Sequence, residues 1–273
     1  MKSKELFPAV FGRHAQAYQR RLDELMTRGE ARGRQRVLDL VQARPGDRVV
    51  DLACGPGTLT RRLAALVGPQ GSVVGVDLSA GMIALARKTA PVNATFEVMD
   101  IESLSLPNGA FDGATCGHGL QFAPNLGKAL GEARRVLRTG GRLAASVPLQ
   151  GPRERAWEIV DQVIDRRLPP APEAEDSGAT REVVGDANRF KHAALDAGFS
   201  SAEVEIVEEK VRWESAEQLV ALLTSWWDCA ARMEGLAEEA RGSIATEAVD
   251  ALRREYPGPI GTVGRNHVLV ATA

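Results

Sequence analysis

The chain has 273 residues, of which 44% are apolar and 26% are charged, as in one large globular domain or one domain with an elaboration. The formal net charge is −2, so no global positive field exists to hold a polyanion and no nucleic-acid partner is expected. Three widely separated cysteines indicate neither a disulfide scaffold nor a metal site.

No apolar run of signal-peptide length follows the first residues, and no stretch reaches the roughly 18 apolar residues of a membrane span. We therefore expect a cytoplasmic protein without stable membrane association. A homodimer is left open as its oligomeric state.

The first 44 residues are predicted to form a helical cap. Two helices are expected there, at 5–26 and at about 30–43, the second ending before Pro45-Gly46. The first helix carries a stripe of apolar, aromatic and imidazole side chains, namely Phe7, Val10, Phe11, His14 and Tyr18. This stripe either packs on the core or brings His14 and Tyr18 over a ligand.

From residue 45 onward, short apolar segments alternate with helical patterns of ten or more residues. Such alternation is typical of βαβ units and of a mainly parallel sheet. Strands are predicted at 48–52, 72–77, 94–99, 112–117, 142–147, 204–213 and 267–272. Helices are predicted at 58–67, 79–90, 125–138, 152–167 and 187–197. Residues 45–273 are thus predicted to be a doubly wound, seven-stranded, Rossmann-like α/β domain.

Two segments interrupt the alternation, at about 150–185 and 215–260. The first contains a proline-rich acidic stretch at 168–178, which predicts a surface loop. The second begins at Ser215, a predicted N-cap, and contains two helices. Both are interpreted as helical substrate lids, because sheet enzymes bind ligands beyond the carboxyl ends of their strands.

A glycine-rich turn, Asp51-Leu52-Ala53-Cys54-Gly55-Pro56-Gly57, joins the first strand to the next helix. Glycine allows positive φ and close approach of a ligand to the backbone. The turn lacks the Gly-Lys-Ser/Thr ending of a P-loop, and Thr60 stands where a dinucleotide loop has glycine. Asp77, at the end of the second strand, is placed to accept two ribose hydroxyls. This acid fits NAD and S-adenosylmethionine equally.

Two other acids favour S-adenosylmethionine. Asp51 precedes the turn, where a carboxylate can receive an amino group but repels a pyrophosphate. Asp100 and Ile101 end the third strand and offer an acceptor for an adenine amino group and an apolar contact for its ring.

Four motifs carry a family resemblance: 50–58 around the glycine turn, 75–82 around Asp77, Leu106-Pro107 before Phe111-Asp112, and 135–141. In order and spacing they resemble class I S-adenosylmethionine-dependent methyltransferases, in particular the ubiquinone/menaquinone-biosynthesis and bacterial natural-product small-molecule branch. The resemblance covers about residues 45–150. It implies S-adenosylmethionine as cofactor and S-adenosylhomocysteine as product.

Carried over by position, the resemblance implies a set of cofactor-binding residues. They are Tyr18, Asp51, Ala53, Gly55, Gly57, Asp77, Leu78, Met82, Asp100, Ile101 and Gly117. Ala53 replaces the family's usual glycine, a change expected to be harmless, and Thr139 replaces a usual proline in a turn away from the site.

Methyl transfer depends mainly on placing the acceptor behind the methyl group, and a general base adds to the rate for some acceptors. His118, just after the fourth strand, is the first candidate for a catalytic base and His14 the second. His192 and His267 are expected to have core or surface roles. The predicted substrate-binding residues are His118, Gln121, Phe122, Trp226 and Trp227, although the tryptophans also suit ordinary packing.

Three functional hypotheses follow. The first is methylation of a small aromatic or apolar acceptor at carbon, nitrogen or oxygen, in specialised metabolism. The second is a quinone-biosynthesis C-methyltransferase, and the third is a cofactor-binding protein without catalysis. The predicted partner in the first two is a small-molecule acceptor.

Overall fold

The structure, a computed structural model, describes residues 1–151, 154–171, 174–176, 178–224 and 226–273, with Trp227 described by its backbone alone. The chain divides into two compact units. Unit 1 comprises Met1–Leu149, Ala174–Glu208 and Arg265–Ala273, and unit 2 comprises Gln150–Glu173 and Glu209–Gly264.

Within the described residues, seven strands form one sheet in the order β3-β2-β1-β4-β5-β7-β6. The strands β1 to β5 are parallel where they pair, and β7 runs antiparallel to β5. The strands are β1 (Arg48–Leu52), β2 (Ser72–Asp77), β3 (Ala94–Val98), β4 (Phe111–Gly117), β5 (Leu137–Pro148), β6 (Ser201–Trp213) and β7 (Ile260–Thr272). The predicted doubly wound, mainly parallel sheet is therefore confirmed.

Helices lie between the strands as the sequence predicts, but the described residues of the segment 215–260 hold three helices and not the predicted two. In chain order they are α1 (Ser3–Arg13), α2 (Ala15–Thr27), α3 (Arg32–Val41), α4 (Thr58–Val67), α5 (Ala80–Arg87), α6 (Leu126–Val136), α7 (Arg155–Arg167), α8 (Gly178–Val184), α9 (Ala187–Asp196), α10 (Ala216–Leu223), α11 (Trp227–Met233) and α12 (Glu238–Glu255). A short 3-10 turn also covers Leu120–Phe122.

Several predicted boundaries need correction. The single helix expected at 5–26 is two helices, because the backbone at His14 (φ −106°, ψ 13°) leaves the helical region between α1 and α2. The strand expected at 142–147 begins at Leu137, and its pairing with β4 shifts register after Leu137. The predicted Thr139-Gly140-Gly141 turn is thus an irregularity inside β5. A helix, α8, starts where the predicted loop ends.

Apolar side chains fill both faces of the sheet in unit 1. On one face Phe111 of β4 packs in a buried cluster with Leu130 of α6 and Phe190 of α9. On the other, Leu63 of α4 joins a cluster with Phe96 of β3. Each such fully buried side chain contributes about 1.5–3 kcal/mol relative to an exposed one, so helices on both faces hold the sheet rigid. The carboxyl ends of the parallel strands are then fixed relative to one another.

Unit 2 has its own packing. The indole of Trp213 is buried, and its Nε1 donates a hydrogen bond to Thr262 Oγ1 at 2.9 Å. The guanidinium of Arg232 donates to the backbone oxygens of Ile164, Leu168 and Pro169 near the end of α7. Carbonyls in the last turn of a helix have no helical partner, so Arg232 acts as a C-terminal cap.

One predicted helix cap is confirmed, and two predicted segments extend beyond the described residues. Ser215 is the N-cap of α10, since its side chain accepts a hydrogen bond from the backbone N–H of Gln218. Residues 152–153 of the predicted 152–167 helix, and residues 172–173 and 177 of the predicted loop, lie outside the described residues.

Candidate functional site

A cavity of about 120 Å³ lies in unit 1 at the carboxyl ends of the parallel strands. Helices α1 and α2 form its other walls. Many of the predicted site residues line this cavity: Tyr18, Ala53, Gly55, Asp77, Leu78, Met82, Asp100, Ile101, Gly117, His118 and Phe122. Residues up to 104 positions apart in the chain are thus brought together around one space.

The glycine-rich turn takes a left-handed backbone at three positions. Gly55 (φ 54°) and Gly57 (φ 81°) adopt it at little cost, because glycine has no Cβ. Ala53 (φ 50°) adopts it as well, and a non-glycine residue there costs roughly 1–2 kcal/mol. The replacement of glycine by Ala53 is therefore strained, which corrects the expectation that it is harmless.

Asp77 connects β2 to the turn. One carboxylate oxygen accepts a hydrogen bond from the backbone N–H of Gly55 and the other from that of Ser79, both at 2.8 Å. Burial raises the pKa of Asp77, and these two hydrogen bonds act against that rise. Each carboxylate oxygen has a second lone pair, so Asp77 can also accept from a ligand's hydroxyls at the cavity wall.

Asp51 is buried and does not line the cavity, although the resemblance implies that it contacts the ligand. It is 1% exposed, and its oxygens accept hydrogen bonds from Thr60 Oγ1 at 2.6 Å and Thr115 Oγ1 at 2.8 Å. Burial raises its pKa to about 6, although both hydroxyls stabilise the carboxylate. Asp51 is thus a buried negative charge beneath the turn, and direct contact with a ligand's amino group stays a prediction. Gly57 also lies outside the cavity lining.

Lys4 of α1 reaches the end of the third strand. Its Nζ lies 2.6 Å from Asp100 Oδ2 and 2.7 Å from Glu102 Oε2. The other oxygen of Asp100 accepts the backbone N–H of Glu102 at 2.9 Å. The ion pairs fix α1 against the rim of the cavity, and nothing in the sequence pattern pointed to Lys4.

Aromatic side chains form one wall of the cavity. Phe122 packs against Phe7 and Phe11 with ring centroids 4.7 and 5.5 Å apart, and Phe11 meets the ring of Tyr18 at 5.7 Å. Such tilted and edge-on pairs are favourable arrangements of aromatic rings. The rings of the predicted stripe therefore pack together, and Phe7, Phe11 and Tyr18 also line the cavity, whereas closure of His14 and Tyr18 over a ligand stays a prediction.

His118 follows β4 with a left-handed backbone (φ 63°) and donates its N–H to Ser146 O at 2.9 Å. Burial and the nearby Arg34 guanidinium hold the pKa of His118 well below its usual range, although a side-chain hydrogen bond with Asn266 acts in the opposite direction. Its imidazole is therefore neutral near pH 7, and the same two causes disfavour its protonated form.

Several polar atoms around His118 are buried without a hydrogen-bond partner. They are Arg34 Nε, His118 Nε2, Gln121 Oε1, Ser146 Oγ and Asn266 Nδ2. Buried polar groups are normally paired, so a group of unpaired ones indicates a place for a ligand or water. Gln121, a predicted substrate residue, lies outside the cavity lining and donates its amide N–H to His118 O at 3.0 Å. Sequence reasoning missed Arg34 and Asn266, which no motif marks.

The other predicted site residues lie elsewhere. His14 stands between α1 and α2, outside the residues that line the cavity. Trp226 belongs to unit 2, where its ring stacks on Trp157 with centroids 6.1 Å apart, and it is 43% exposed. The side chain of Trp227 lies outside the described residues. Substrate contact by these tryptophans and catalysis by His14 stay predictions.

The two remaining histidines, His192 and His267, each lie next to a backbone carbonyl oxygen. His192 Nδ1 lies 2.7 Å from Asn188 O on the surface of α9, and His267 Nδ1 lies 2.9 Å from Val184 O in the interior. Within the described ranges, no group of three or more potential metal-binding side chains is present. In the same part of the chain, no helix is both long and apolar enough to cross a bilayer.

Comparison with known proteins agrees with this geometry. A family model described as a methyltransferase domain matches residues 49–141. A 2-phytyl-1,4-naphtoquinone methyltransferase from Thermosynechococcus vestitus is 36% identical over 156 residues, which cover 56% of this chain and 69% of that protein. The chain belongs to the class I S-adenosylmethionine-dependent methyltransferases. The recognised motifs and this relationship point to the same family.

Other relatives of this class I methyltransferase match over part of their length. A 37.1 kDa protein of transposon TN4556 from Streptomyces fradiae is 36% identical, over 74% of this chain and 58% of that protein. A 2-phytyl-1,4-naphtoquinone methyltransferase from Synechococcus elongatus is 36% identical over 52% of this chain and 63% of its own length. The chain therefore spans about three fifths of these two relatives.

Solved structures share the methyltransferase fold at low sequence identity. Phosphoethanolamine N-methyltransferase 2 from Haemonchus contortus, solved with S-adenosylhomocysteine, has a TM-score of 0.53 and 18% identity, over 88% of this chain and 52% of that one. The [4+2]-cyclase SpnF has a TM-score of 0.51 and 20% identity, over 89% and 81%. At this identity the likeness concerns the fold alone, and a named cyclase among the neighbours shows that fold does not determine the reaction.

Proposed function

We propose that the cavity of unit 1 binds S-adenosylmethionine and that the protein transfers its methyl group to a small aromatic or apolar acceptor. The observation that carries this proposal is the convergence of Asp77, Asp100 and the left-handed glycine turn on one cavity, beside His118. Family membership supports the same function. A cytoplasmic location, the lack of stable membrane association and a homodimer remain predictions.

The residues at the cavity suit the proposed cofactor. Asp77 offers carboxylate lone pairs for ribose hydroxyls, and Asp100 offers an acceptor for the adenine amino group. Leu78, Met82 and Ile101 supply apolar surface beside them for the adenine ring. The buried carboxylate of Asp51 lies beneath the turn, where it attracts a cationic ligand.

When bound, S-adenosylmethionine supplies a methyl group whose bond to sulfur breaks as the acceptor atom bonds to carbon, leaving S-adenosylhomocysteine. The chain contributes alignment and exclusion of water. Alignment of this kind supplies roughly 7–11 kcal/mol of a barrier. The aromatic wall of Phe7, Phe11 and Phe122 covers the cavity. His118 lines the cavity and is our candidate to receive the proton that the acceptor loses, against the cost that burial and Arg34 place on its protonated form.

The acceptor class is inferred from the aromatic wall of the cavity. The aromatic wall favours a flat, apolar acceptor. A quinone-type ring is the second candidate, because relatives from Symbiobacterium thermophilum and Ectopseudomonas mendocina are named demethylmenaquinone and ubiquinone/menaquinone methyltransferases. These alignments cover 38% and 39% of the chain, so they support the second candidate through part of the chain only.

Cofactor binding is tested by calorimetric titration of S-adenosylmethionine and S-adenosylhomocysteine into wild-type protein and Asp77→Ala. We expect wild type to bind both, and the variant to lose at least tenfold in affinity, since the removed carboxylate holds the turn and faces the ligand. Asp196→Ala, an exposed acid at the end of α9, serves as control and should bind as wild type does. A wild-type protein that binds neither compound contradicts the proposal.

Methyl transfer is tested with cofactor carrying an isotopic methyl label and a panel of phenols, indoles, amines and prenylated quinones in their reduced, quinol form, with product mass as the readout. Labelled product from aromatic compounds other than quinones supports the first acceptor class. Product confined to prenylated quinols would instead select the second. Cofactor binding without product from any class of compound would favour a binding protein without catalysis.

A further inference from the structure

The tautomer of His118 decides which of its two ring nitrogens can receive a proton. A neutral imidazole carries one proton, on Nδ1 or on Nε2, and only the other nitrogen has a free lone pair. In water the form protonated at Nε2 predominates. Inside a protein the choice is set by the hydrogen bond that the ring makes.

Asn266 is the side chain that the fold brings to this ring. It lies on β7, is 2% exposed, and faces Pro148 of β5 in the register of the sheet. The backbone N–H of His118 donates to Ser146 O of the same strand β5. A side-chain hydrogen bond joins Asn266 to His118. The strand β5 therefore positions both residues.

Helix α3 fixes the orientation of the Asn266 amide. A Cβ built at Gly33 of α3 would stand 2.8 Å from Cγ of Asn266 and 2.9 Å from its Nδ2. The amide is thus held against the backbone of the helix, with Nδ2 on that side. The next residue, His267, lies against Val184 O of α8, as expected because successive residues of a strand point to opposite faces.

The unpaired atoms identify the two atoms that form the hydrogen bond. Nδ2 of Asn266 is buried without a partner, and so is Nε2 of His118. The remaining polar atoms of the two side chains are Oδ1 of Asn266 and Nδ1 of His118. An amide oxygen only accepts, so Nδ1 carries the proton and Nε2 keeps its lone pair.

The same hydrogen bond acts on the charge of the ring. Burial and the Arg34 guanidinium lower the pKa of His118, and the hydrogen bond with Asn266 raises it. Once Nε2 has received a proton, the ring is a cation, and its Nδ1–H donates a stronger, charge-assisted hydrogen bond to Oδ1. Asn266 therefore offsets part of the cost of protonation and carries no charge itself.

We propose that Asn266 is a positioning residue for methyl transfer: it holds His118 in the tautomer protonated at Nδ1 and leaves Nε2 to receive the proton of the acceptor. This inference rests on the proposed function, in which the acceptor binds beside His118. The acceptor atom bonds to the methyl carbon, its proton bonds to Nε2, and the ring releases that proton to water after the product has left.

Nitrogen NMR measures the tautomer without any ligand. Protein labelled with 15N-histidine gives signals from four histidines, and those of His118 are identified by their absence from His118→Gln. Protonated and unprotonated ring nitrogens resonate in separate regions of the spectrum. At about pH 7.5 we expect a protonated Nδ1 and an unprotonated Nε2 for His118. His267, whose Nδ1 lies 2.9 Å from a backbone oxygen, is the internal reference for this pattern.

Asn266→Leu removes the accepting oxygen and keeps a side chain of similar size. We expect the His118 signals to move towards the form protonated at Nε2, while the signals of the adjacent His267 stay unchanged. Ser146→Ala is the matched control, because it removes a buried hydroxyl beside His118 that has no partner. It should leave the tautomer of His118 as in wild type.

A second variant covers the case in which Asn266→Leu does not fold, as judged by thermal unfolding. In Asn266→Asp a carboxylate replaces the amide, so Nδ1 of His118 should stay protonated. The added negative charge should raise the pH at which the ring titrates by about one to three units.

Activity adds a readout of the reaction itself. With the acceptor that gives labelled product in the panel of compounds, Asn266→Leu should lower kcat by about 10–10²-fold, which is less than the loss of about 10²–10⁴-fold expected on removal of the base. Its affinity for S-adenosylmethionine should stay within about twofold of wild type, because Asn266 is not among the residues that line the cavity.

The outcomes separate this inference from the proposed function. An unprotonated Nδ1 at His118 in wild type would refute the inference. Unchanged His118 signals in Asn266→Leu, or an unchanged titration in Asn266→Asp, would refute it as well, and a slower reaction with an unchanged tautomer would leave Asn266 only a structural role. None of these results affects cofactor binding. A wild-type protein that does not bind S-adenosylmethionine would instead overturn the proposed function.

Discussion

Asp51 gives a prediction with a definite sign and size. Its ordinary pKa is 3.8, and burial raises the pKa in the folded protein to about 6. The difference is 6 − 3.8, or about 2.2 units. At 1.36 kcal/mol per unit, ionising this carboxyl in the folded protein costs about 3 kcal/mol more than in the unfolded chain. The free energy of unfolding therefore falls by that amount as the pH rises from well below 3.8 to well above 6.

Asp51→Asn removes the titrating group and keeps the shape of the side chain. The hydroxyls of Thr60 and Thr115 can reorient to pair with an amide, since a hydroxyl both donates and accepts. We expect the free energy of unfolding of the variant, relative to wild type, to rise by about 2–2.5 kcal/mol between pH 4 and pH 7.5. Urea unfolding at a series of pH values measures this difference.

Asp112→Asn is the control with the opposite sign. Despite partial burial, the backbone N–H of Arg48 and the guanidinium of Arg138 hold the pKa of Asp112 below its usual range. Its stabilising contribution is therefore present above its unfolded pKa and is lost as the pH falls. If the difference between Asp51→Asn and wild type is flat over the same pH range, the assignment of a raised pKa to Asp51 is refuted.

Three other predictions concern separate features. A Cβ at Gly119 would stand 2.4 Å from the Cβ of Ala53, so Gly119→Ala should lower the free energy of unfolding by about 1–3 kcal/mol. Adding Ala53→Gly to that variant should restore part of the lost stability, as measured by urea unfolding. Arg232→Ala should speed hydrogen exchange at the end of α7 and lower the free energy of unfolding by about 1–3 kcal/mol. Arg166→Ala, which changes an exposed arginine of the same helix, should do neither. His118→Ala should keep cofactor affinity within about threefold and slow methyl transfer by about 10²–10⁴-fold; an unchanged rate with the true acceptor would remove its role as base.

Much of unit 1 was predictable because its signals are local. The bounds of β1, β2 and α4 agree with the predicted 48–52, 72–77 and 58–67, since apolar runs, glycine turns and helical spacing adjoin in the sequence. Asp77 and Asp100 follow from strand ends in the same way. The break at His14 was missed because the helical spacing of side chains continues across it.

The missed site residues depend on distant contacts. Arg34 contacts Tyr18 and lies close to Gly117. Lys4 pairs with Asp100, which lies 96 positions further along the chain. Asn266 reaches His118 only because β7 turns back beside β5. Periodicity and motif spacing describe only residues that are near in sequence and do not predict such distant contacts. These contacts can therefore be identified only from the folded structure.

The position of α1 has a kinetic consequence. The helix supplies one wall of the cavity through Phe7 and Phe11, and its ion pairs from Lys4 close the rim at the end of β3. Because α1 forms part of the border of this half-open cavity, we expect exchange of a ligand the size of a nucleoside to involve movement of that wall. The rate of product departure would then follow the breaking of these partly exposed ion pairs, and would increase with ionic strength while the acceptor chemistry stayed the same.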